Sequence, residues 1–213
     1  MKLIGLLSIS FILALLGGCA ATTASQRVSA AETALTRSVA LGDLRLSQQT
    51  ALPLKLERAV IDSTSPSYIF ENGEKAFFKL YKLPQFVTAY SVTILAQREG
   101  SMADASLFMP VVLTLDEQFR TRRSFDEKSL RNRGSGLERT IFINPTNADE
   151  RYLIIRGASL KGMVVQSLQS TQVQPIVTPY GMFFYSNGIE VKAEVRSSAV
   201  GFIEIEQKGL ADH

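Results

Sequence analysis

The sequence predicts an all-β protein, a single antiparallel β-sandwich of the jelly-roll or immunoglobulin-like kind. From Leu52 onward, short runs rich in β-branched and aromatic residues follow one another, and such runs are typical of strands. Turn-forming pairs that contain Gly, Asn or Pro separate the runs. Helical patterns of any length are missing between them, which favours two packed sheets over an α/β fold.

The N-terminal residues predict an export signal. Lys2 gives a positively charged start, and a largely apolar stretch follows over Leu3–Leu16. Its length fits the apolar part of a secretory signal and falls short of the ~18 residues that span a bilayer. We therefore assign residues 1–18 to a signal peptide and residues 19–50 to a tether with an N-terminal helix.

The end of that signal, Leu16-Gly17-Gly18-Cys19, resembles a bacterial lipobox, and Cys19 is the only cysteine in the chain. The resemblance implies cleavage before Cys19, a diacylglycerol thioether on its sulfur and a further acyl chain such as palmitate on its amino group. Two or more acyl chains anchor a protein stably. Because Ala20 and not aspartate follows, the resemblance implies the outer membrane, on its periplasmic side. The alternative is an ordinary signal peptide with a chance cysteine.

A helix is predicted between Ser25 and Leu46, because apolar residues recur there at helical spacing. Gly42 interrupts the apolar face and predicts that the helix ends near it. The apolar face comprises Val28, Ala31, Leu35, Val39 and Leu46.

The β-domain is assigned to residues 51–207, and residues 208–213 to a flexible tail. The predicted strands are Glu74–Leu80, Gln85–Ala96, Leu107–Leu115, Arg139–Ile143, Arg151–Arg156, Met182–Tyr185, Ile189–Val195 and Val200–Glu206. Asn187-Gly188 predicts a tight hairpin between the sixth and seventh of these strands. Residues 158–173 fit a helix, a loop or a strand, and we expect a loop carrying some helix.

Composition excludes several classes of function. The net charge of +3 is too small to indicate nucleic-acid binding. The only histidine is the terminal His213, so Ser-His, Cys-His and the usual zinc sites are not expected, and no cofactor motif is present. The carboxylate pairs Asp116-Glu117 and Asp126-Glu127 are interpreted as a strand end and as solvated ion pairs. The chain is therefore predicted to be non-enzymatic, without metal or cofactor.

Two groups of residues are candidates for binding. The segment Phe119–Arg133 is rich in arginine, whose planar fork suits phosphate and carboxylate groups. Its candidate contacts for an anion or a partner are Arg120, Arg122, Arg123, Arg131 and Arg133, although a solvated connection between strands explains the charges more simply. Aromatic residues at 77–90 and 180–185 could stack on sugars, but most of them are expected in the core.

Three stretches resemble the maltose-operon periplasmic protein family (MalM-like proteins): Phe86–Asp116, Asp149–Gly157 and the closing part from Pro179 to Glu206. The resemblance implies a periplasmic, non-enzymatic β-sandwich associated with maltose and maltodextrin transport. We thus expect an outer-membrane lipoprotein accessory to an envelope assembly, such as a maltodextrin porin. The alternatives are a stand-alone carbohydrate-binding lipoprotein and a structural lipoprotein that contacts peptidoglycan or lipopolysaccharide.

Overall fold

The computed structural model describes residues 22–101, 104–158, 163–178 and 181–209. They form an all-β sandwich of two mixed sheets, not closed into a barrel, with one α-helix among the described residues. This confirms the predicted fold class. The predicted signal peptide and Cys19 lie outside the described residues. Within these ranges, no helix is long and apolar enough to cross a membrane.

One α-helix and fifteen strands follow one another along the described part of the chain. They are α1 (Ala24–Arg37), β1 (Ala40–Leu41), β2 (Gln49–Ala51), β3 (Glu57–Ile61), β4 (Ser67–Ile69), β5 (Lys75–Lys82), β6 (Tyr90–Ser101), β7 (Asp104–Phe108), β8 (Pro110–Leu115), β9 (Thr121–Phe125), β10 (Arg131–Arg133), β11 (Gly136–Ile143), β12 (Tyr152–Gly157), β13 (Met163–Thr178), β14 (Gly181–Ser198) and β15 (Gly201–Gly209). The seven-stranded sheet has the order β1-β4-β5-β12-β8-β9, with β2 beside β5. The eight-stranded sheet has the order β10-β11-β6-β7-β14-β13, with β15 between β6 and β3.

Most strand pairs are antiparallel, but β1 with β4, β2 with β5, and β7 with β14 are parallel. The core lies between the two sheets. The seven-stranded sheet contributes Phe77, Tyr81, Val112, Leu153 and Ile155, and the eight-stranded sheet contributes Ile61, Val92, Ile94, Ile141, Ile143, Ile203 and Ile205. These side chains alternate with outward-facing ones along each strand, as the two-residue period of a strand requires.

The helix begins one residue earlier than predicted and ends well before Gly42. Thr23 and Gln26 form a capping box, in which each side chain accepts a hydrogen bond from the other's backbone N–H. After Arg37, Ser38 adopts an extended conformation and Lys75 donates to its carbonyl oxygen, which satisfies the helix C-terminus there. Val39, 91 % exposed, and Leu46, 74 % exposed, therefore lie outside the buried helix face.

Three details of the strand prediction are corrected. Leu107–Leu115 is two strands, because the chain passes at Met109 from the eight-stranded sheet into the seven-stranded one. Residues 163–178 form strand β13 and not a loop with helix. Asn187-Gly188 is not a turn but lies within β14, paired with Gln172 and Thr171. The reason is that β13 pairs along almost the whole of β14, which satisfies far more backbone groups than a local hairpin at Asn187 would.

Candidate functional site

The seven-stranded sheet is apolar on both of its faces. All six residues of β8 are buried, although strands with one solvated face normally alternate. On the outer face, a second cluster includes Phe78, Leu80, Leu113, Leu115 and Ile154. Strand register brings these residues together, because β12 pairs with β5 on one side and with β8 on the other.

The chain's own connections cover only part of this outer face. Leu44, from the short 3₁₀ turn after β1, and Phe70, which follows β4, pack on the cluster. Between them and strand β9 a cleft of about 160 Å³ remains, which we call the outer cleft. Leu113, Leu115 and Ile154 contribute apolar lining. The other residues that line it are Leu44, Tyr68, Phe70, Glu71, Asn72, Phe119, Thr121, Ser124 and Arg156.

Phe119 lies in the tight connection between β8 and β9 and is the only described residue other than glycine with a positive φ, at 64°. Its N–H donates to the Asp116 carbonyl oxygen at 3.0 Å and so closes a turn over residues 116–119. Hairpin connections often place a residue in the left-handed conformation directly after such a turn, and here that residue is Phe119. Such a conformation costs a bulky residue about 1–2 kcal/mol. Strained residues of this kind cluster at functional sites, and Phe119 lines the outer cleft.

Two groups hold Phe119 in this conformation. Its ring stacks on Tyr152 with the centroids 4.2 Å apart. The Asp116 carboxylate accepts hydrogen bonds from the backbone N–H groups of Gln118 and Arg120 and from the Arg120 side chain, at 2.8–3.0 Å. Burial raises the pKa of Asp116, but these bonds and the Arg120 charge outweigh it, so that the pKa lies below its usual value.

Arg156 is the buried charge of the outer cleft, with a side chain 6 % exposed. It forms an ion pair with Glu74 at 3.0 Å and donates to the Gly157 carbonyl oxygen at 3.1 Å. Its guanidinium carbon lies 4.8 Å from the centroid of the Phe70 ring. The Nε–H group is buried and has no hydrogen-bond partner among the residues that the structure describes. A buried donor without an acceptor costs about 1–3 kcal/mol.

The five arginines singled out from the sequence do not form one loop surface. Strand β9 carries Arg122 and Arg123, and strand β10 carries Arg131 and Arg133. Four of the five have carboxylate partners: Arg120 with Asp116, Arg122 with Asp149, Arg123 with Glu150 and Arg133 with Glu138. Arg131 is exposed and has no ion pair with any residue that the structure describes.

Sequence reasoning missed the outer cleft. Asp126 and Glu127 are not salt-bridged to arginine within the described ranges, although the Asp126 carbonyl oxygen accepts from Arg139. Also within those ranges, no group of three or more His, Cys, Asp or Glu residues could hold a metal ion.

Comparison of the chain with family models, curated proteins and solved structures gave no match. The resemblance to the maltose-operon family therefore stays a prediction.

Proposed function

We propose that this protein is a non-enzymatic lipoprotein of the outer membrane that faces the periplasm and serves as an accessory subunit of an envelope assembly. In this proposal the outer cleft receives a side chain of the partner protein. The lipid anchor rests on Leu16-Gly17-Gly18-Cys19. The partner contact rests on one observation: an apolar cleft is open on the outer face of the seven-stranded sheet, with the buried Arg156 among its lining residues.

The chemistry of the outer cleft suits a protein partner. Binding energy at protein interfaces concentrates in well-packed pockets that take one or a few anchoring side chains, surrounded by a polar rim that excludes water. Leu113, Leu115 and Ile154 would contact the anchoring side chain. Glu71, Asn72, Thr121 and Ser124 would form the rim.

The cleft offers less to a sugar. Carbohydrate recognition uses an open aromatic face, but one face of Phe119 is stacked on Tyr152, and the Arg45 guanidinium lies 5.7 Å from the Phe119 centroid. Tyr68 and Phe70 pack edge to face with each other at 5.2 Å. The alternative of lipopolysaccharide or peptidoglycan contact through the arginines also has less support, because four of them already have carboxylate partners.

The test uses a photoreactive phenylalanine analogue in place of Ser124, on the rim of the outer cleft, in the full-length protein with a C-terminal tag. The matched control places the same analogue at Gln97, which is also exposed on a strand but belongs to the eight-stranded sheet. After illumination of intact cells, the tagged protein is purified and its crosslinked products are identified by mass spectrometry.

We expect one envelope protein to dominate the products from Ser124, at least tenfold over those from Gln97. A porin of the maltodextrin type is the partner that the sequence resemblance predicts. Equal products from both positions, or none from Ser124, would contradict the proposal. If maltodextrin suppresses the products at Ser124 and the purified protein binds it by calorimetry, the carbohydrate-binding alternative replaces the proposal.

A further inference from the structure

The longest strands of the molecule form a two-stranded ribbon, β13 with β14, whose pairing runs from Met163 with Arg196 to Thr178 with Gly181. Only the last residues of β14 join the sheet: Arg196–Ser198 pair with Ser106–Phe108 of β7. At that level Val195 is fully buried. Elsewhere along the described ribbon, the two strands pair only with each other.

The far end of the ribbon is exposed and apolar. Met182, Phe183 and Phe184 are 59 %, 60 % and 71 % exposed. Successive residues of a strand point to opposite faces, so β14 exposes apolar side chains on both of its faces at this level. The sequence has no Asp, Glu, Lys or Arg between Lys161 and Glu190, although 20 % of the chain's residues are charged. An uncharged strand end with exposed aromatic rings is unusual for a surface that contacts only water.

Strand direction places this end of the ribbon on the same side of the domain as the N-terminus of the helix. Strand β14 runs parallel to β7 with Arg196 opposite Ser106, so its residues before Glu194 extend past Asp104, the first residue of β7. The Ala24 N–H, in the first turn of α1, donates to the Asp104 carboxylate at 2.7 Å. The ribbon and the entry to the helix therefore leave the domain at one end.

Chain lengths relate the ribbon to the proposed lipid anchor. Cys19 precedes Ala24 by five residues, which span at most about 18 Å when fully extended. The part of β14 from Gly181 to the level of Asp104 is about 40 Å long at ~3.3 Å per residue. An anchor on Cys19 would thus hold this end of the domain so close to the bilayer that the ribbon reaches it.

We propose that Met182, Phe183 and Phe184 insert into the lipid bilayer as a second membrane contact beside the acylated Cys19. This inference rests on the proposed lipid anchor. The ribbon lies tilted towards the membrane plane, because its length of about 40 Å exceeds the distance of at most about 18 Å that the residues between Cys19 and Ala24 can span. The rings enter the boundary between headgroups and acyl chains, where apolar side chains of membrane-surface segments reside. The contact fixes the orientation of the sandwich relative to the membrane, which a flexible tether alone does not.

The test exploits the single cysteine of the chain, because acylation of Cys19 leaves no free thiol. Phe183→Cys then gives a unique labelling site for an environment-sensitive fluorophore. The matched control is Val87→Cys, an apolar residue that is 84 % exposed and precedes β6 at the end opposite Asp104. The purified lipidated proteins are reconstituted into vesicles of phosphatidylethanolamine and phosphatidylglycerol, with and without nitroxide-labelled lipids.

We expect a blue-shifted emission at position 183 that nitroxide lipids quench at least twofold, and neither effect at position 87. An aqueous spectrum at position 183, with acyl chains on Cys19 verified by mass spectrometry, would overturn the inference and leave the anchor standing. A blue shift that nitroxide lipids do not quench and that rises with protein density would assign the end of the ribbon to a protein contact instead. Absence of acyl chains on Cys19 would overturn both the anchor and the inference.

Discussion

Replacing Arg123 by methionine should destabilise the protein strongly, because it removes the cation from a buried carboxylate. Arg123 forms a two-bond pair with Glu150, with Nε–Oε1 and Nη2–Oε2 distances of 2.6 and 2.7 Å. The Glu150 side chain is only 2 % exposed, while that of Arg123 is 29 % exposed. Leaving a buried charge without its partner typically costs 3–5 kcal/mol. Since Arg123 is partly exposed, we expect the lower end, about 3 kcal/mol.

The neighbouring pair supplies a matched control. Arg122 and Asp149 lie on the same strand and the same connection as Arg123 and Glu150, and their charged atoms are 2.7 Å apart. Both side chains are about half exposed, at 47 % and 49 %. Exposed pairs contribute only about 0–1 kcal/mol. Arg122→Met should therefore change the free energy of unfolding by less than about 1 kcal/mol, although its distance is equally short.

Urea unfolding of the purified protein in mild detergent, followed by circular dichroism, measures both effects. With a slope of about 2–3 kcal/mol per molar urea, Arg123→Met should lower the midpoint by about 1–1.5 M and Arg122→Met by less than about 0.5 M. The double variant Arg123→Met with Glu150→Leu should recover most of the loss, because no buried charge is then left unpaired. Equal shifts for the two arginine variants would refute the reasoning that burial, and not distance, determines the energy.

Three further predictions test packing in the eight-stranded sheet and the backbone conformation and electrostatics of the connection between β8 and β9. Gly136→Ala should lower stability by about 1–3 kcal/mol in thermal unfolding, because its Cβ would lie 2.5 Å from the Ala96 carbonyl oxygen; an unchanged melting temperature would contradict this. Phe119→Gly should change stability by no more than about 1 kcal/mol, since relief of the positive φ offsets the lost stacking on Tyr152, yet it should abolish crosslinking from Ser124; a larger destabilisation with crosslinking retained would contradict both parts. Asp116 has a lowered pKa, so its ionised form stabilises the fold above pH about 4, and this stabilisation is lost as the pH falls through the lowered pKa. Asp116→Asn should accordingly lower the urea midpoint at pH 7. The difference in midpoint between this variant and the original protein should shrink as the pH falls, and a difference that does not depend on pH would contradict this.

Much of the sandwich could be predicted from the sequence because burial and alternation coincide along its strands. Strands β5, β11, β12 and β15 overlap the predicted runs within a few residues. The start of the helix was predicted to within one residue from the helical spacing of its apolar residues. The helix end was not, because it depends on Lys75, which reaches Ser38 only after strand β5 has folded beside it.

The outer cleft could not be predicted, because its residues come from distant parts of the chain. Ile154 meets Leu113 only through the register between β12 and β8, and the positive φ of Phe119 leaves no mark in the sequence. The ribbon was missed for a related reason. Asn187-Gly188 is a strong local turn signal, but the long pairing of β14 with residues 163–178 outweighs local preference, as tertiary context commonly does.

The two proposed contacts belong to different sheets, and this separation makes them independent. The outer cleft lies on the seven-stranded sheet, whereas Phe183 belongs to a strand that extends the eight-stranded sheet. Effects at sites without shared partners are usually additive. A Phe183→Ser change should therefore weaken contact with the bilayer without changing crosslinking from Ser124, and filling the cleft by Ser124→Trp should leave lipid quenching at position 183 unchanged. Loss of both contacts from either single change would mean that partner and membrane bind one surface, and the separation of roles between the sheets would be wrong.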